Sequence, residues 1–197
     1  MNQQEGKSTA PLLAQALTLH ELPGLIGKRW DIPAGRQGVV LQADGSSRLL
    51  GAGRQRLLSA WGRLRGRGAG LGLGLVPAGE FTLPIRIPYL LSGDGELLDL
   101  SLACLVELSD PARFFINVVA PQGIVTMLDL GDEDSQQALG AVTRRYLAQD
   151  LVHGKPPRLH GERAAALEPR LAPDGIRLLA IPLLVISPAG ERKRLAE

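Results

Sequence analysis

The chain has 197 residues, of which 45% are hydrophobic, 21% are charged and only 4% are aromatic. This composition is ordinary for a folded soluble protein whose core is built from Leu, Ile, Val and Ala. A single cysteine excludes an intramolecular disulfide and a multi-cysteine zinc site. No apolar run of about 18 residues occurs and the first residues lack the layout of a signal peptide, so we expect a cytoplasmic protein without a transmembrane helix.

Charge is distributed unevenly along the chain, although the net charge is only +2. Residues 36–86 contain eight arginines against two acidic residues, whereas residues 87–140 contain one arginine against nine acidic residues. Residues 141–197 are basic again, with ten Lys or Arg against six acidic residues. Two interpretations stay open: surfaces of opposite charge pair with one another, or the charges are simply solvated where the core allows.

The N-terminal part of the chain is predicted to be a tail followed by a hairpin. Residues 1–10 are polar and are expected to be disordered, and Leu12–Leu19 has the apolar spacing of a short amphipathic helix. Residues 32–58 read as two strands around a turn at Asp44-Gly45, which is a good hairpin signal.

Residues 59–75 have an unusual composition, in which arginines and then glycines alternate with small or apolar residues. Glycine supplies little packing and allows many backbone conformations, so the segment is predicted to be a mobile loop or a loosely held edge strand. It is expected to run into a strand near Leu73–Val76. Phe81–Leu91 is a further predicted strand, and Pro84 and Pro88 place part of it at a sheet edge.

The clearest pattern of the chain lies in Asp94–Pro111. Asp94-Gly95 signals a turn, and the apolar residues of Leu98–Leu108 then alternate with a mixed face, as in a strand with one buried side. Asp110 can cap the next helix, with Pro111 at its first position.

The middle of this strand is predicted to lie in the core. Leu102 and Val106 are expected to be buried, so truncating Leu102 should be strongly destabilising. Cys104 shares their face and is expected to be a small core residue rather than a nucleophile.

Beyond the strand, the apolar residues change to helical spacing. A short helix is predicted over Pro111–Val119, and a longer one over about Ser135–Leu151, with acidic residues suited to the positive end of its dipole. Gly161–Leu171 is helical in composition, although Pro169 should kink or end that helix. Ile176–Ile186 is a long apolar strand. Strands, then helices, then a final strand give an α+β fold with a mixed or antiparallel sheet in its N-terminal part.

Four features in this order resemble the SPFH domain (stomatin, prohibitin, flotillin; also called band 7). They are a glycine-bearing opening hairpin, the Asp94–Asp110 strand, the amphipathic helix and the Gly175–Ile186 strand. The hairpin resembles the family's through Ile32, Pro33, Gly35, Gly38, Val39, Val40, Gly51 and Gly53. The resemblance covers about residues 30–190, leaving a tail with a short amphipathic segment at 1–29 and the start of a C-terminal helix at 191–197.

The resemblance implies a scaffold rather than an enzyme. SPFH proteins associate side by side into rings or cages, usually on membranes, where they organise lipids or regulate partner proteins. Typical members have a membrane-inserted or lipidated N-terminal segment and a long C-terminal coiled coil. Here only Leu12–Leu19 has the apolar residues to lie on a membrane surface. The given sequence ends at Glu197, just as the predicted C-terminal helix begins, as expected for a compact member or a truncated chain.

Sequence motifs give no indication of catalysis. The three histidines are far apart, and no phosphate loop, H-E-x-x-H helix or G-x-S-x-G serine occurs. We therefore expect no enzyme activity, no cofactor and no metal site. An acidic run before the longer helix is explained more simply by the helix start than by a metal, and it is a candidate oligomer contact: Asp129, Asp132, Glu133 and Asp134.

The Arg/Gly segment 54–74 is the best candidate binding surface. Guanidinium groups bind phosphates in a bidentate way, and an indole near them can insert at a membrane interface or stack on a base. Anionic lipid, nucleic acid and a merely solvated loop stay open as interpretations, with nucleic acid the less expected partner. The candidate residues are Arg54, Arg56, Trp61, Arg63, Arg65 and Arg67.

Together these features predict a self-assembling module, a homo-oligomer that is cytoplasmic or peripheral at the membrane. The basic region 36–86 of one copy meets the acidic region 87–140 of the next, and such a head-to-tail contact closes a ring or extends a filament. The alternatives are a soluble adaptor that holds a protein partner, and a nucleic-acid-binding module that uses the Arg/Gly segment.

Overall fold

The structure is a computed structural model, which describes residues 12–23, 28–57, 72–126, 133–154 and 158–189. The strands are β1 (Leu12–Leu17), β2 (Arg29–Ile32), β3 (Arg36–Leu41), β4 (Ser47–Leu50), β5 (Gly53–Arg56), β6 (Gly72–Pro77), β7 (Glu80–Leu91), β8 (Leu97–Leu108), β9 (Ile124–Thr126) and β10 (Ile176–Pro188).

Four helices accompany the strands. Helix α1 is α-helical over Pro111–Phe114 and Ala120–Gln122 and π-helical between them, over Phe115–Val119. The others are α2 (Glu133–Thr143), α3 (Ala148–Val152) and α4 (Leu159–Leu171), which a 3-10 turn (Ala172–Asp174) follows. The predicted α+β fold class is confirmed.

The described strands form three antiparallel sheets. Five strands lie in the order β4, β3, β6, β1, β9, three in the order β10, β8, β7, and β2 pairs with β5 as a separate two-stranded ribbon. The longest pairings, of β8 with β7 and β10, build the three-stranded sheet.

The predicted helix over Leu12–Leu19 is wrong, because Leu12–Leu17 is strand β1 in the five-stranded sheet. It pairs with β6 on one side and β9 on the other, and Leu13 and Ala14 are both buried. Arg36 donates hydrogen bonds to the Leu12 and Leu13 carbonyls. The apolar residues of this segment fit a short helix, and they fit equally well a strand that is covered on both faces. Hydrogen-bonded pairing with two neighbouring strands selects the strand.

The predicted hairpin over residues 32–58 is confirmed in its first half. Strands β3 and β4 pair around a turn in which the Asp44 carboxylate accepts hydrogen bonds from the Ser46 N–H and hydroxyl, and Gly45 has a φ of +83°. The return strand is not continuous, however. Gly53 has a φ of +102°, and β5 leaves the sheet at that point to pair with β2.

Strand β6 is a central strand of the five-stranded sheet, so the predicted strand near Leu73–Val76 is confirmed but does not lie at an edge. The glycines of β6 have a packing function. A Cβ atom on Gly74 would overlap the Phe115 ring, and one on Gly72 would lie 3.3 Å from the same ring. Residues 58–71, which carry the rest of the predicted loop, lie outside the described residues.

The three-stranded sheet follows its prediction closely. Strand β8 is its central strand, and every second residue from Leu98 to Val106 is buried, including Leu102 and Cys104. Strands β7 and β10 are the edges, as the prolines of β7 predict.

The predicted Asp110 cap forms at the start of α1, where the turn at Gly175 meets it. The Asp110 carboxylate accepts a hydrogen bond from the Arg113 N–H at 3.0 Å, with Pro111 at the first helical position. The Asp110 N–H donates to the Gly175 carbonyl at 3.1 Å. Gly175 has a φ of +72°, and a Cβ atom there would collide with the Asp110 carbonyl, so only glycine fits.

The single helix predicted over Ser135–Leu151 is wrong, because it is divided into α2 and α3. The turn between β7 and β8 docks at the division. There the Gly93 N–H donates to the Tyr146 carbonyl at 2.7 Å, and the Asp94 carboxylate accepts from the Ala148 N–H at 3.0 Å. Asp94 thus caps α3 from another part of the chain. Helix α4, by contrast, continues through Pro169 and ends at Leu171.

The main core lies between the two larger sheets and the helices. Its helical members are Phe114, Phe115, Val118 and Val119 of α1, Leu139 of α2, and Leu167 and Leu171 of α4. A smaller apolar cluster attaches the β2–β5 ribbon. Within the described ranges, no helix combines the length and the apolar character needed to cross a bilayer.

Candidate functional site

Two predicted site residues, Arg54 and Arg56, lie together on the β2–β5 ribbon. Across the ribbon, Arg56 is opposite Arg29 and Arg54 is opposite Asp31. All four residues are exposed, whereas Trp30 between them on β2 is buried. Because opposite residues of an antiparallel pair share a face, the ribbon presents three guanidinium groups and one carboxylate to solvent. We call this surface, defined by Arg29, Arg54 and Arg56, the basic ribbon.

The register of the basic ribbon places like charges side by side. The Cβ atoms of opposite residues are about 5 Å apart, and like charges there destabilise the strand pair. Among the described residues, none forms an ion pair with Arg29, Arg54 or Arg56. Guanidinium groups bind phosphate or carboxylate through paired hydrogen bonds, so an anion between Arg29 and Arg56 would relieve the repulsion.

The basic ribbon is held on the molecule by its buried side. Trp30 and Ile32 lie in the smaller apolar cluster with Leu73 of β6. A Cβ atom on Gly38 would lie 2.7 Å from the Trp30 ring, so a glycine at this position lets the indole pack on β3. Buried Lys28 donates a hydrogen bond to the Leu22 carbonyl at 2.6 Å, just before β2 begins. The ribbon is therefore a fixed platform for its exposed arginines.

Most of the other predicted site residues fall outside the described part of the chain. Trp61, Arg63, Arg65 and Arg67 lie within residues 58–71, and Asp129 and Asp132 lie within residues 127–132. Glu133 and Asp134 are the first residues of α2, so the prediction that they lie at a helix start is confirmed. Their side chains lie outside the described part of the structure. The structure therefore brings Arg54 and Arg56 together, and it adds Arg29, which the sequence interpretation missed. The alternation of Arg29-Trp30-Asp31-Ile32 is the signal that could have found it.

A second candidate surface is the outer face of the three-stranded sheet, which points away from the main core. Leu183 of β10 is opposite Ala103 of β8, which is opposite Pro84 of β7, so one row of apolar side chains crosses all three strands. Leu183 is 54% exposed. We call the apolar area the outer-face patch, and its members are Pro84, Ala103, Leu105, Ala180, Leu183 and Val185.

Charged side chains mark the two ends of the outer-face patch. Glu80 and Glu107 are opposite each other at one end, where Glu107 forms an ion pair with Arg177. Arg86 lies at the other end, opposite Ser101, and is exposed. An apolar centre with a charged border is the usual composition of a protein–protein contact.

The described residues show no constellation suited to catalysis. All three histidines are exposed, and no group of three or more His, Cys, Asp or Glu side chains lies close enough to hold a metal ion in the ranges described. Burial raises the pKa of Cys104 to about 11, so its thiol stays protonated near neutral pH. The two candidate surfaces among the described residues are therefore the basic ribbon and the outer-face patch.

No protein-family model and no curated protein matches the sequence.

Proposed function

We propose that this chain is a non-enzymatic scaffold module that self-assembles side by side, with the outer-face patch as a contact between copies. The observation that carries the proposal is the row of apolar side chains across three strands, with Leu183 more than half exposed. Contiguous exposed apolar areas are uncommon on monomeric proteins and mark interaction surfaces. Assembly of this kind is also the function that the resemblance to SPFH domains implies.

The charges at the ends of the outer-face patch favour a second copy as its occupant. Glu80 and Arg86 lie six residues apart on one face of β7, at opposite ends of the patch. If two outer faces stack around a two-fold axis that runs between the sheets and perpendicular to the strands, Glu80 of one copy lies over Arg86 of the other. The same pairing occurs twice, so the surface is self-complementary.

Stacking of faces is favoured over pairing of strand edges. Pro84 and Pro88 lie on edge strand β7, and Pro182 lies on edge strand β10, where the register with β8 shifts twice. Proline removes an N–H donor and irregular pairing bends the edge, and both features oppose the addition of a further strand.

The basic ribbon supplies a second contact in this proposal. Face stacking alone gives a pair, and a ring, cage or filament needs another surface. The basic ribbon is suited to acidic groups, either of the next copy, such as those of residues 87–140, or of an anionic membrane surface. Arg54 and Arg56 retain their predicted role here, together with Arg29.

The first test is the mass of the full chain in solution, measured by light scattering over a range of concentrations at low and physiological salt. Multiples of the monomer mass are expected. Leu183→Glu places a charge in the outer-face patch and should shift the mass toward the monomer. Leu49→Glu is the matched control, because Leu49 is 49% exposed on β4 in the other large sheet. A monomer under all conditions, or equal masses for both variants, would contradict the proposal.

The membrane part of the proposal has its own test. The full chain is mixed with vesicles of phosphatidylcholine, with or without phosphatidylserine, and the bound fraction is measured by sedimentation. Arg54→Glu combined with Arg56→Glu should abolish binding to the anionic vesicles. Arg48→Glu should not, because exposed Arg48 lies on β4 outside the basic ribbon. Absence of binding to anionic vesicles would leave a scaffold that assembles without lipid.

A further inference from the structure

A cleft of about 590 Å³ lies between the end of strand β7 and helix α2. Its strand side is formed by Tyr89, Leu90 and Leu91, and its helix side includes Gln136, Gln137 and Arg144, with Gly140 between them. This volume is within the range of ligand-binding clefts. We call it the Tyr89 cleft.

Tyr89 is exposed at the cleft and is held in a strained backbone conformation. Its φ of +59° is in the left-handed region, which bulky residues rarely adopt, and the residue is 66% exposed. The pairing of β7 with β8 shifts between Ile87 and Leu90, so an extra residue bulges from β7. The Asp99 carboxylate accepts a hydrogen bond from the Tyr89 N–H at 3.2 Å and so supports the bulge.

Three polar side chains of the Tyr89 cleft, those of Gln136, Gln137 and Arg144, have no partners among the described residues. Arg144 forms no ion pair there, and the Gln136 and Gln137 amides form no hydrogen bond there. The described lining residues include no acidic side chain. The described lining of the cleft therefore offers a guanidinium without an ion pair, two side-chain amides without a hydrogen bond and one exposed aromatic residue.

Gly140 keeps the floor of the cleft open without a packing reason. A Cβ atom there would meet only Leu90, at an ordinary distance of 3.5 Å. Glycine in a helix interior is less favourable than alanine, so its presence at this position is unexplained by the fold. Leu90 and Leu91 give the floor an apolar character.

From these features we propose that the Tyr89 cleft binds a peptide segment of a partner protein, in which an acidic residue lies next to an apolar or aromatic one. Arg144 binds the carboxylate through paired hydrogen bonds. The Tyr89 ring and Leu91 receive the apolar side chain, and the Gln136 and Gln137 amides bind the peptide backbone. Tyr and Arg are, with Trp, the residue types enriched at the energetic centres of protein interfaces.

The composition of the cleft favours a peptide over a small aromatic acid. A small acid would use Arg144 and Tyr89 alone, whereas the two glutamine amides lie on α2, both about two turns before Arg144. An amide side chain both donates and accepts, as does a peptide group. This binding function is separate from self-assembly, and a failure of either proposal leaves the other standing.

The test is a fluorescence-anisotropy titration of a labelled, capped heptapeptide in which glutamate alternates with leucine and phenylalanine. The full chain should bind it saturably, and the same peptide with lysine for glutamate should not bind. Arg144→Gln should weaken binding about tenfold or more, as expected for loss of a charged hydrogen bond. Arg145→Gln is the matched control, because Arg145 is exposed and is not among the residues that line the cleft. The affinity of this variant for the peptide should stay within about twofold of that of the unmodified chain.

Tyr89→Gly keeps the test independent of folding, because glycine suits the positive φ that tyrosine adopts under strain. Tyr89→Gly should weaken binding of the peptide at least as much as Arg144→Gln does. The midpoint of thermal unfolding of the Tyr89→Gly variant should not be lowered. Unlabelled phenylacetate is the small-molecule competitor. The proposal is overturned by no saturable binding, by equal binding to the Arg144→Gln and Arg145→Gln variants, or by phenylacetate displacing the peptide at equal concentration.

Discussion

The inner and outer faces of the three-stranded sheet belong to the same strands but differ in what covers them. On the inner face, Leu98, Leu102 and Val106 are buried in the cores that helices α1, α2 and α4 complete. On the outer face, Leu183 and Val185 are apolar as well, yet both are exposed. Apolar residue type is therefore not enough to identify the covered face of a sheet. No other described element covers this outer face, and this is why we propose it as a contact with another molecule.

The helices that cover the two larger sheets pack on them in two ways. Helix α1 packs on the five-stranded sheet through apolar contacts, with the Phe115 ring over Gly72 and Gly74. We call this contact the apolar cover. The layer of α2 and α4, by contrast, contains the buried polar residues Ser135, Thr143 and Arg163, and we call it the polar cover. Apolar packing stabilises the first contact directly, whereas the second also requires partners for its polar groups.

The largest expected effect separates the two faces of the three-stranded sheet. Leu102→Ala removes a side chain from the main core and should lower the free energy of unfolding by about 2–5 kcal/mol. Leu183→Ala makes the same change on the outer face, and its effect on the monomer should stay within about 0.5 kcal/mol. The two changes in the free energy of unfolding are measured by urea unfolding, at a protein concentration where the chain is monomeric. A loss below roughly 1 kcal/mol for Leu102 would mean that the inner face is not packed as described.

How well each region could be predicted from the sequence depends on how local its determinants are. The Asp110 cap and the alternation of β8 are set by adjacent residues, and both are predicted correctly. The break between α2 and α3 was not, because the β7–β8 turn that causes it is about 50 residues away in sequence. Strand β1 was mistaken for a helix because its type depends on the strands beside it.

The candidate site follows the same rule. Arg54 and Arg56 were predicted as a binding surface from their local composition. Arg29 was missed, because only the register of β2 with β5 places it opposite Arg56. The Tyr89 bulge depends on the register of β7 with β8 in the same way, although Pro88 before Tyr89 is a local sign of irregular pairing.

The second prediction concerns Arg163, in the polar cover. Its side chain is fully buried, and no guanidinium nitrogen has a hydrogen-bond partner in the described structure. Burial lowers the pKa of Arg163 to about 10, against an opposite and smaller effect of Tyr146. An unpaired buried charge is destabilising, so Arg163→Met should raise the free energy of unfolding by about 1–4 kcal/mol.

Urea unfolding measures this gain, and Arg145→Met is the control. Arg145 is exposed and lies 3.9 Å from the Glu162 carboxylate, a pair that should be worth less than about 1 kcal/mol. A loss of stability in Arg163→Met would show that the guanidinium has a counter-charge, and the polar cover would then be held by an ion pair.

The third prediction tests the apolar cover at the five-stranded sheet. Gly74→Ala places a methyl group against the Phe115 ring and should lower the free energy of unfolding by about 1–3 kcal/mol, as overpacking does. Gly72→Ala is the matched control on the same strand, because its methyl group would lie 3.3 Å from the ring and needs only a small shift. Thermal unfolding of the two variants should separate them clearly. If Gly72→Ala and Gly74→Ala unfold at the same temperature, the ring does not rest on β6 in this way.

The smallest expected effect is a pH dependence at Asp94, which ties the three-stranded sheet to α3. Hydrogen bonds from the Ser92 hydroxyl, and next from the Ala148 N–H, hold the pKa of Asp94 below its usual value. A carboxyl whose pKa is lower in the folded state stabilises the fold above its unfolded pKa, and this contribution is lost as the pH falls from about 4 through the folded pKa.

Asp94→Asn should therefore unfold at a lower temperature than the unmodified chain at pH 7, and the difference should shrink as the pH falls below about 4. Asp44→Asn provides the comparison. The pKa of Asp44 is also lowered by hydrogen bonds, mainly from the Ser46 hydroxyl, but these stay within one turn. Hydrogen exchange at the α3 amides should rise in Asp94→Asn and stay unchanged in Asp44→Asn, because only Asp94 caps that helix. Equal exchange in both variants would mean that α3 is held by the packing of Leu151 alone rather than by the turn of the sheet.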